Sequence, residues 1–179
     1  MAHSMPDASL GPVPSHRTRR IDRGGGESTT EATKAADTAK VIEATKVVVF
    51  PDRLEVTVRV KDESCRYASR SLVAACLRSF PELPFHACKN DKGPLFGDVL
   101  DQASLPHLLE HLVITLQVRD DQGKGANSFS YLGATQWIPA DRSAVAGSSC
   151  CAKVSVRFRN DVVALTCLNR ALAFVNEHF

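Results

Sequence analysis

Two imidazoles stand four residues apart, with a carboxylate between them, in the run His107-Leu108-Leu109-Glu110-His111. On a helix, residues i and i+4 lie one above the other on a single face. Two histidines so placed can hold one metal ion, and the glutamate beside them can move a proton to or from a water at that ion. The chemistry this spacing permits is metal-assisted hydrolysis. In chain order the pattern is H-x-x-E-H, the reverse of the commoner H-E-x-x-H.

The chemistry needs a helix to carry it, and the apolar run 105–118 supplies one. Ser104 suits the N-cap and Pro106 the first turn. Projected at about 100° per residue, Leu105, Leu108, Leu109, Leu112 and Leu116 cover one side, while His107, Glu110 and His111 cluster on the other. Ile114 and Val118 share that second side, so it should be partly covered, as the floor of a cleft is. Two blander readings compete: histidines satisfied within a core stripe, and an ordinary solvated face. The projection argues against the first, and the two apolar neighbours argue against the second.

A zinc site needs a third protein ligand. The segment Phe85-His86-Ala87-Cys88-Lys89 offers two candidates, one loop before the helix. A thiolate beside two histidines is an accepted zinc set, so Cys88 is taken as the third ligand. His86 is then a group that braces a ligand or touches substrate. The alternative leaves Cys88 as a small buried residue and His86 on a loop surface. With zinc as cofactor, Glu110 is the expected catalytic base, taking a proton from water and returning it to a leaving amine.

The remaining elements follow from periodicity. Residues 46–50 are β-branched and aromatic, Pro51-Asp52 punctuates them, and Leu54, Val56, Val58 and Val60 alternate with polar residues, which reads as a hairpin. A helix is expected over 64–80, with Tyr67, Leu72, Cys76 and Leu77 inward, ended by Pro81 and Pro84. A polar loop follows over 85–101, then the motif helix to about 118 and a second polar loop over 120–128. Strands are expected over 130–138 and 152–158. A last helix, capped by Asp161, runs to about 177 with Val162, Leu165, Leu168, Leu172 and Val175 inward. The order is ββα-αββα: an α+β fold of two β-hairpins forming an antiparallel sheet, packed by about three helices. Residues 1–43, rich in Pro, Gly, Ser, Thr and Ala, are expected to be a disordered tail, and 44–179 a single α+β domain.

With 179 residues, 44% hydrophobic and 23% charged, the chain suits one soluble domain plus that tail. Its net charge of +2 decides nothing. The basic cluster His16-Arg17-Thr18-Arg19-Arg20 has no interleaved aromatics, so no nucleic-acid role is expected. No apolar run approaches the roughly 20 residues of a membrane span, so no membrane partner is expected. The six cysteines lack C-x-x-C spacing and no secretion signal is read, so free thiols and a cytoplasmic location are expected.

Three stretches carry a resemblance: His86-Ala87-Cys88, then Gly97-Asp98-Val99-Leu100, then Ser104 through His111 and on through Leu112-Val113-Ile114-Thr115-Leu116-Gln117. Together they resemble the N-terminal domain of cyanophycin synthetases, which has an H-x-C loop before a helix reading roughly H-V-V-E-H-V-A-L-E-L-Q. Gly133-Ala134-Thr135-Gln136-Trp137 and the strand 154–158 look like that domain's C-terminal half, so the resemblance covers roughly 45–179. Thr115 departs from it, standing where the family usually has Glu. The chain also has no P-loop and stops where the family continues into ATP-grasp and Mur-ligase-like modules, so it is not expected to synthesise cyanophycin alone.

The resemblance implies a domain that binds an arginine-decorated polyaspartate and, in some members, cleaves it at an H-x-x-E-H site. It implies His107 and His111 as metal ligands, Cys88 as a third, and Glu110 as base. An arginine-rich substrate calls for acids near the cleft, for which Asp91, Asp98, Asp101, Asp120 and Asp121 are candidates by loop position. Trp137, the single tryptophan, either walls the cleft and touches substrate or packs on the core. Two functions result: a zinc-dependent hydrolase of peptide or isopeptide bonds in a cyanophycin-like amino-acid polymer, or a non-catalytic polymer-binding or accessory module of a ligase system, with structural zinc or none. The expected partners are a polymer or peptide substrate and a second copy or a ligase subunit.

Overall fold

Leu54, Val56, Val58 and Val60 are all buried, and the residues between them are not, because a strand sends alternate side chains to opposite faces. They belong to β2 (Arg53–Val60), which pairs antiparallel with β1 (Ile42–Val49) across the Pro51-Asp52 turn. On its other side β2 pairs with β4 (Cys151–Arg157), setting Leu54 opposite Val156, Val56 opposite Val154 and Val58 opposite Ala152. β3 (Gly133–Trp137) pairs with β4, so the antiparallel sheet runs β1-β2-β4-β3, with β3 at one edge. The computed structural model describes residues 40–122, 129–139 and 150–179.

Three helices complete the fold: α1 (Arg70–Ser79), α2 (Leu105–Gln122) and α3 (Asp161–His178). α2 packs on β3 and β4 and against α3, which also packs on β1 and α1. The face of the sheet away from the buried valines carries the Arg53–Glu55–Lys153 ion pairs. The α+β class and the ββα-αββα order hold as expected.

Four boundaries differ. Ordered chain begins before Thr45: Ile42 is only 1% exposed, pairs with Val60, and is clamped by Asn176 of α3, whose Oδ1 accepts the Val41 and Ile42 N–H groups at 2.8 and 3.1 Å. Ile42 and Glu43 therefore belong to the sheet, not to the expected tail of 1–43; residues 1–39 lie outside the described ones. The helix expected over 64–80 begins only at Arg70, because the Ser69 hydroxyl caps it by accepting the Leu72 N–H. Tyr67 and Leu77, expected inward, are exposed. Asn160 rather than Asp161 caps α3, which turns Val162 outward to 66% exposure. α2 continues four residues past 118. Residues 123–128 and 140–149, the former within the polar loop expected over 120–128, lie outside the described residues.

Candidate metal centre

α2 is buried around almost its whole circumference from Leu105 to Gln117, His107 alone being half-exposed. One side meets the sheet and α3. The other meets the chain between α1 and α2, which sequence reading left as a polar loop. Its polar residues are what fold it back. Asn90 Oδ1 accepts the Lys92 and Gly93 N–H groups at 2.8 and 2.9 Å, making a turn. Cys88 N–H then donates to Pro94 O and Phe96 N–H to His86 O, a short antiparallel pairing that holds His86-Ala87-Cys88 over the helix. Phe96, fully buried, stacks on the His111 ring at 3.9 Å and meets the His107 ring edge-on at 5.1 Å. Sequence reading missed it; a large aromatic in an otherwise polar loop was the available signal.

This packing brings Cys88, His107 and His111 together. Their ligand atoms lie within 4.8 Å of one another, and Cys88 Sγ is 3.4 Å from His107 Nε2. A tetrahedral zinc at ordinary bond lengths holds S and N ligands roughly 3.3–3.8 Å apart, so the Cys88–His107 pair is already at ligand spacing and the trio lies within about 1 Å of it. The candidate set expected from sequence thus converges, and it can hold a metal.

His86 is outside that trio but touches it. Its Nδ1 lies 3.4 Å from His111 Nδ1, and its Nε2 lies 3.4 Å from Thr115 Oγ1. The Thr115 hydroxyl donates its single proton to the His111 carbonyl at 2.8 Å. Thr115 must therefore accept from His86, which puts the His86 proton on Nε2. His86 Nδ1 is then bare and accepts from His111 Nδ1–H, leaving His111 Nε2 with the lone pair a metal needs. Thr115, which departs from the resembled pattern, anchors this relay.

Burial sets the protonation states. His111, only 3% exposed, is pushed down to about 3 by desolvation, with His107 and His86 adding repulsion. Burial also lowers His107 and His86 below the ordinary 6.5. The imidazoles are thus neutral and ready to ligate at pH 7. Cys88 is raised above its ordinary 9.0 by burial, so its thiol is protonated without a metal. Metal uptake at pH 7 is expected to release about one proton per ion from Cys88, plus the fraction Glu110 gives up, and affinity is expected to rise with pH because the proton competes with the metal. Calorimetry in buffers of different ionisation enthalpy measures that release, and Cys88→Ala should remove the whole-proton part.

Glu110, 5% exposed, lies beside the cluster, its carboxyl pushed up to about 7 by desolvation and opposed by one hydrogen bond. That bond comes from Thr135 Oγ1 to Oε2 at 2.5 Å. Neither Thr135 nor its neighbour Gly133 stood out in the sequence as touching Glu110. A Cβ on Gly133 would sit 2.4 Å from Glu110 Oε1 and 2.7 Å from Cδ, so only glycine lets β3 lie this close. Gly133→Ala is expected to turn the carboxyl away while leaving metal content unchanged, and to lower whatever hydrolytic rate the site supports about 100-fold, because a displacement of about 1 Å has that reach. Parallel metal analysis and kinetics check this.

The cluster and Glu110 open into one cavity of about 1060 Å³. Its walls are the His86–Lys89 segment on one side and residues 129–135 with Trp137 on the other. Trp137 does both things expected of it: it lines the cavity and packs on the core, with the Arg66 guanidinium 4.1 Å above its ring. None of Asp91, Asp98, Asp101, Asp120 and Asp121 lines the cavity. Asp98 accepts the Leu95 N–H and Asp121 the Tyr131 hydroxyl, so both serve local structure. Among the described lining residues Glu110 is the only acid and Lys89 the only lysine or arginine.

Comparison with family models, with curated proteins and with solved structures finds no match to this chain.

Proposed function

We propose that this chain is a zinc-dependent hydrolase of peptide or isopeptide bonds, acting on a cyanophycin-like amino-acid polymer. One observation carries the reading: three metal-ligand side chains and a buried carboxyl share an open cavity. A structural zinc takes four protein ligands and a closed site; three ligands facing a cavity leave a position for substrate. When bound, zinc supplies Lewis acidity, polarising a carbonyl and drawing the pKa of water toward neutrality.

The chain's own groups supply the rest. Glu110, held by Thr135, takes a proton from the attacking water and returns it to the leaving amine. Burial pushes this carboxyl up to about 7 and a bound cation draws it back down, opposing effects that suit taking and returning a proton near neutral pH. Cys88, His107 and His111 hold the ion, and His86 fixes the His111 tautomer. Phe129, Tyr131 and Trp137 line one wall of the cavity; Arg157 and Arg66 already lie over the Phe129 and Trp137 rings, so a substrate guanidinium would meet Tyr131 or the opposite ring faces. Cys65, Cys76, Cys88 and Cys151 are free thiols, the state a reducing compartment such as the cytoplasm would maintain. Among the described residues no helix is long and apolar enough to cross a membrane.

A second reading, a polymer-binding module serving a ligase partner, draws on the same cavity and ligand trio without turnover. Zinc content and cleavage of the arginine-decorated polyaspartate separate the two. Zinc with cleavage supports the hydrolase. Zinc with an intact polymer supports the module, and purified protein without zinc sinks the hydrolase and leaves the module.

A further inference from the structure

Among the described residues β3 is an edge strand, and four of its five residues line the cavity. Arg157 N–H donates to Leu132 O, and Ile138 N–H donates to Cys151 O, both at 2.8 Å. Antiparallel pairing alternates, so the residues between them in phase, Ala134 and Gln136, also turn their main-chain groups toward β4. Gly133, Thr135 and Trp137 then turn theirs the other way. Among the described residues no strand pairs with that side. These same three residues line the cavity, and Thr135 and Gly133 meet Glu110 directly.

Exposed edges are normally blunted by lysine, proline or a bulge. β3 reads Gly-Ala-Thr-Gln-Trp and pairs with β4 in continuous register, so it has none of these devices. Leu132, just before the strand, lines the cavity while remaining 55% exposed. A row of main-chain donors and acceptors without a strand partner among the described residues, an exposed apolar side chain and the Glu110 carboxyl thus border one space.

We propose that the outer edge of β3 takes the substrate's extended main chain as an added strand, drawing it past Glu110. This deepens the hydrolase reading and rests on it. The occupant is an α-linked polypeptide in the extended conformation. Its main chain pairs with Gly133, Thr135 and Trp137, and its side chains point alternately into and out of the cavity. Main-chain pairing gives affinity that is tolerant of side chains, which is how a cavity without an acidic wall can hold an arginine-decorated chain.

The test uses the full-length zinc-loaded Glu110→Gln protein and three six-residue probes: the arginine-decorated α-linked oligoaspartate, the same chain with alternate main-chain amides replaced by esters, and the same chain with every one replaced. Trp137, the chain's single tryptophan, reports binding by fluorescence. An extended strand keeps one complete row of donors when alternate amides are lost and none when all are lost. The parent and alternate-ester probes are expected to bind within about threefold of each other, and the all-ester probe at least about tenfold more weakly, the worth of two or three main-chain bonds. The proposal is overturned if the all-ester probe binds as well as the parent, if the alternate-ester probe falls equally far, or if the parent does not bind. Donor-dependent binding without cleavage by wild type retains edge docking and removes the hydrolase reading. Cleavage without donor dependence does the reverse.

Discussion

Glu110→Gln is expected to retain its metal and lose about three orders of magnitude in hydrolysis rate, the reach of general acid–base catalysis by one positioned group. The substitution changes proton chemistry and little else. The amide has the carboxyl's shape, and its oxygen still accepts the Thr135 hydroxyl. Glu110 is outside the ligand trio, so the ion has no reason to leave. Because burial already pushes the carboxyl up to about 7, a neutral group suits the site and stability should not fall. The pH profile gives a second readout. A base must be deprotonated to act, and a bound cation draws the carboxyl below the value of about 7 that burial alone gives it, so the wild-type rate should climb through a limb below about pH 7 and then level. The Gln variant should lack that limb. Loss of zinc from the variant, or activity within tenfold of wild type, would remove Glu110 from its role.

The register of His107 and His111 was legible in the sequence because helical spacing is a local property, fixed once the run around it is helical. The alternations of β2 and β4 were legible for the same reason. What the sequence concealed is non-local. Tyr67 and Leu77 fit a helical stripe that would have begun at 64, but Ser69 caps the helix later and shifts the register of what is buried. Ile42 becomes a core residue only because Asn176, on the last helix, reaches back to hold it. Thr135 and Gly133 acquire their meaning at the carboxyl of a residue on another element, across an edge strand whose partner lies later in the chain. Phe96 was hidden by polar neighbours that build the turn placing it against both imidazoles. The motif's residues were readable, and the residues that support them were not.

The sharpest division in the site is between holding the ion and orienting what holds it. Cys88→Ala is expected to lower zinc affinity by at least about 1,000-fold, since two histidines alone are half of a tetrahedral set and the lost ligand is the anionic one. His86→Ala should cost only about 10–100-fold, the ordinary effect of removing a group that orients a ligand. The difference follows from the relay: without His86, His111 keeps its ring but loses the acceptor that keeps the proton on Nδ1, so the ligating tautomer is no longer enforced. Thr115→Val keeps the volume and removes the acceptor for His86, so it should fall in the His86 range or below it, and its effect should nearly vanish in a His86→Ala background. Competition with a chromophoric chelator measures wild type and all four variants on one scale. If His86→Ala strips the metal and Cys88→Ala does not, the two residues exchange roles. If Thr115→Val adds its full effect to His86→Ala, the relay does not exist, and the His111 tautomer must be set by something other than the hydroxyl four residues further along its own helix.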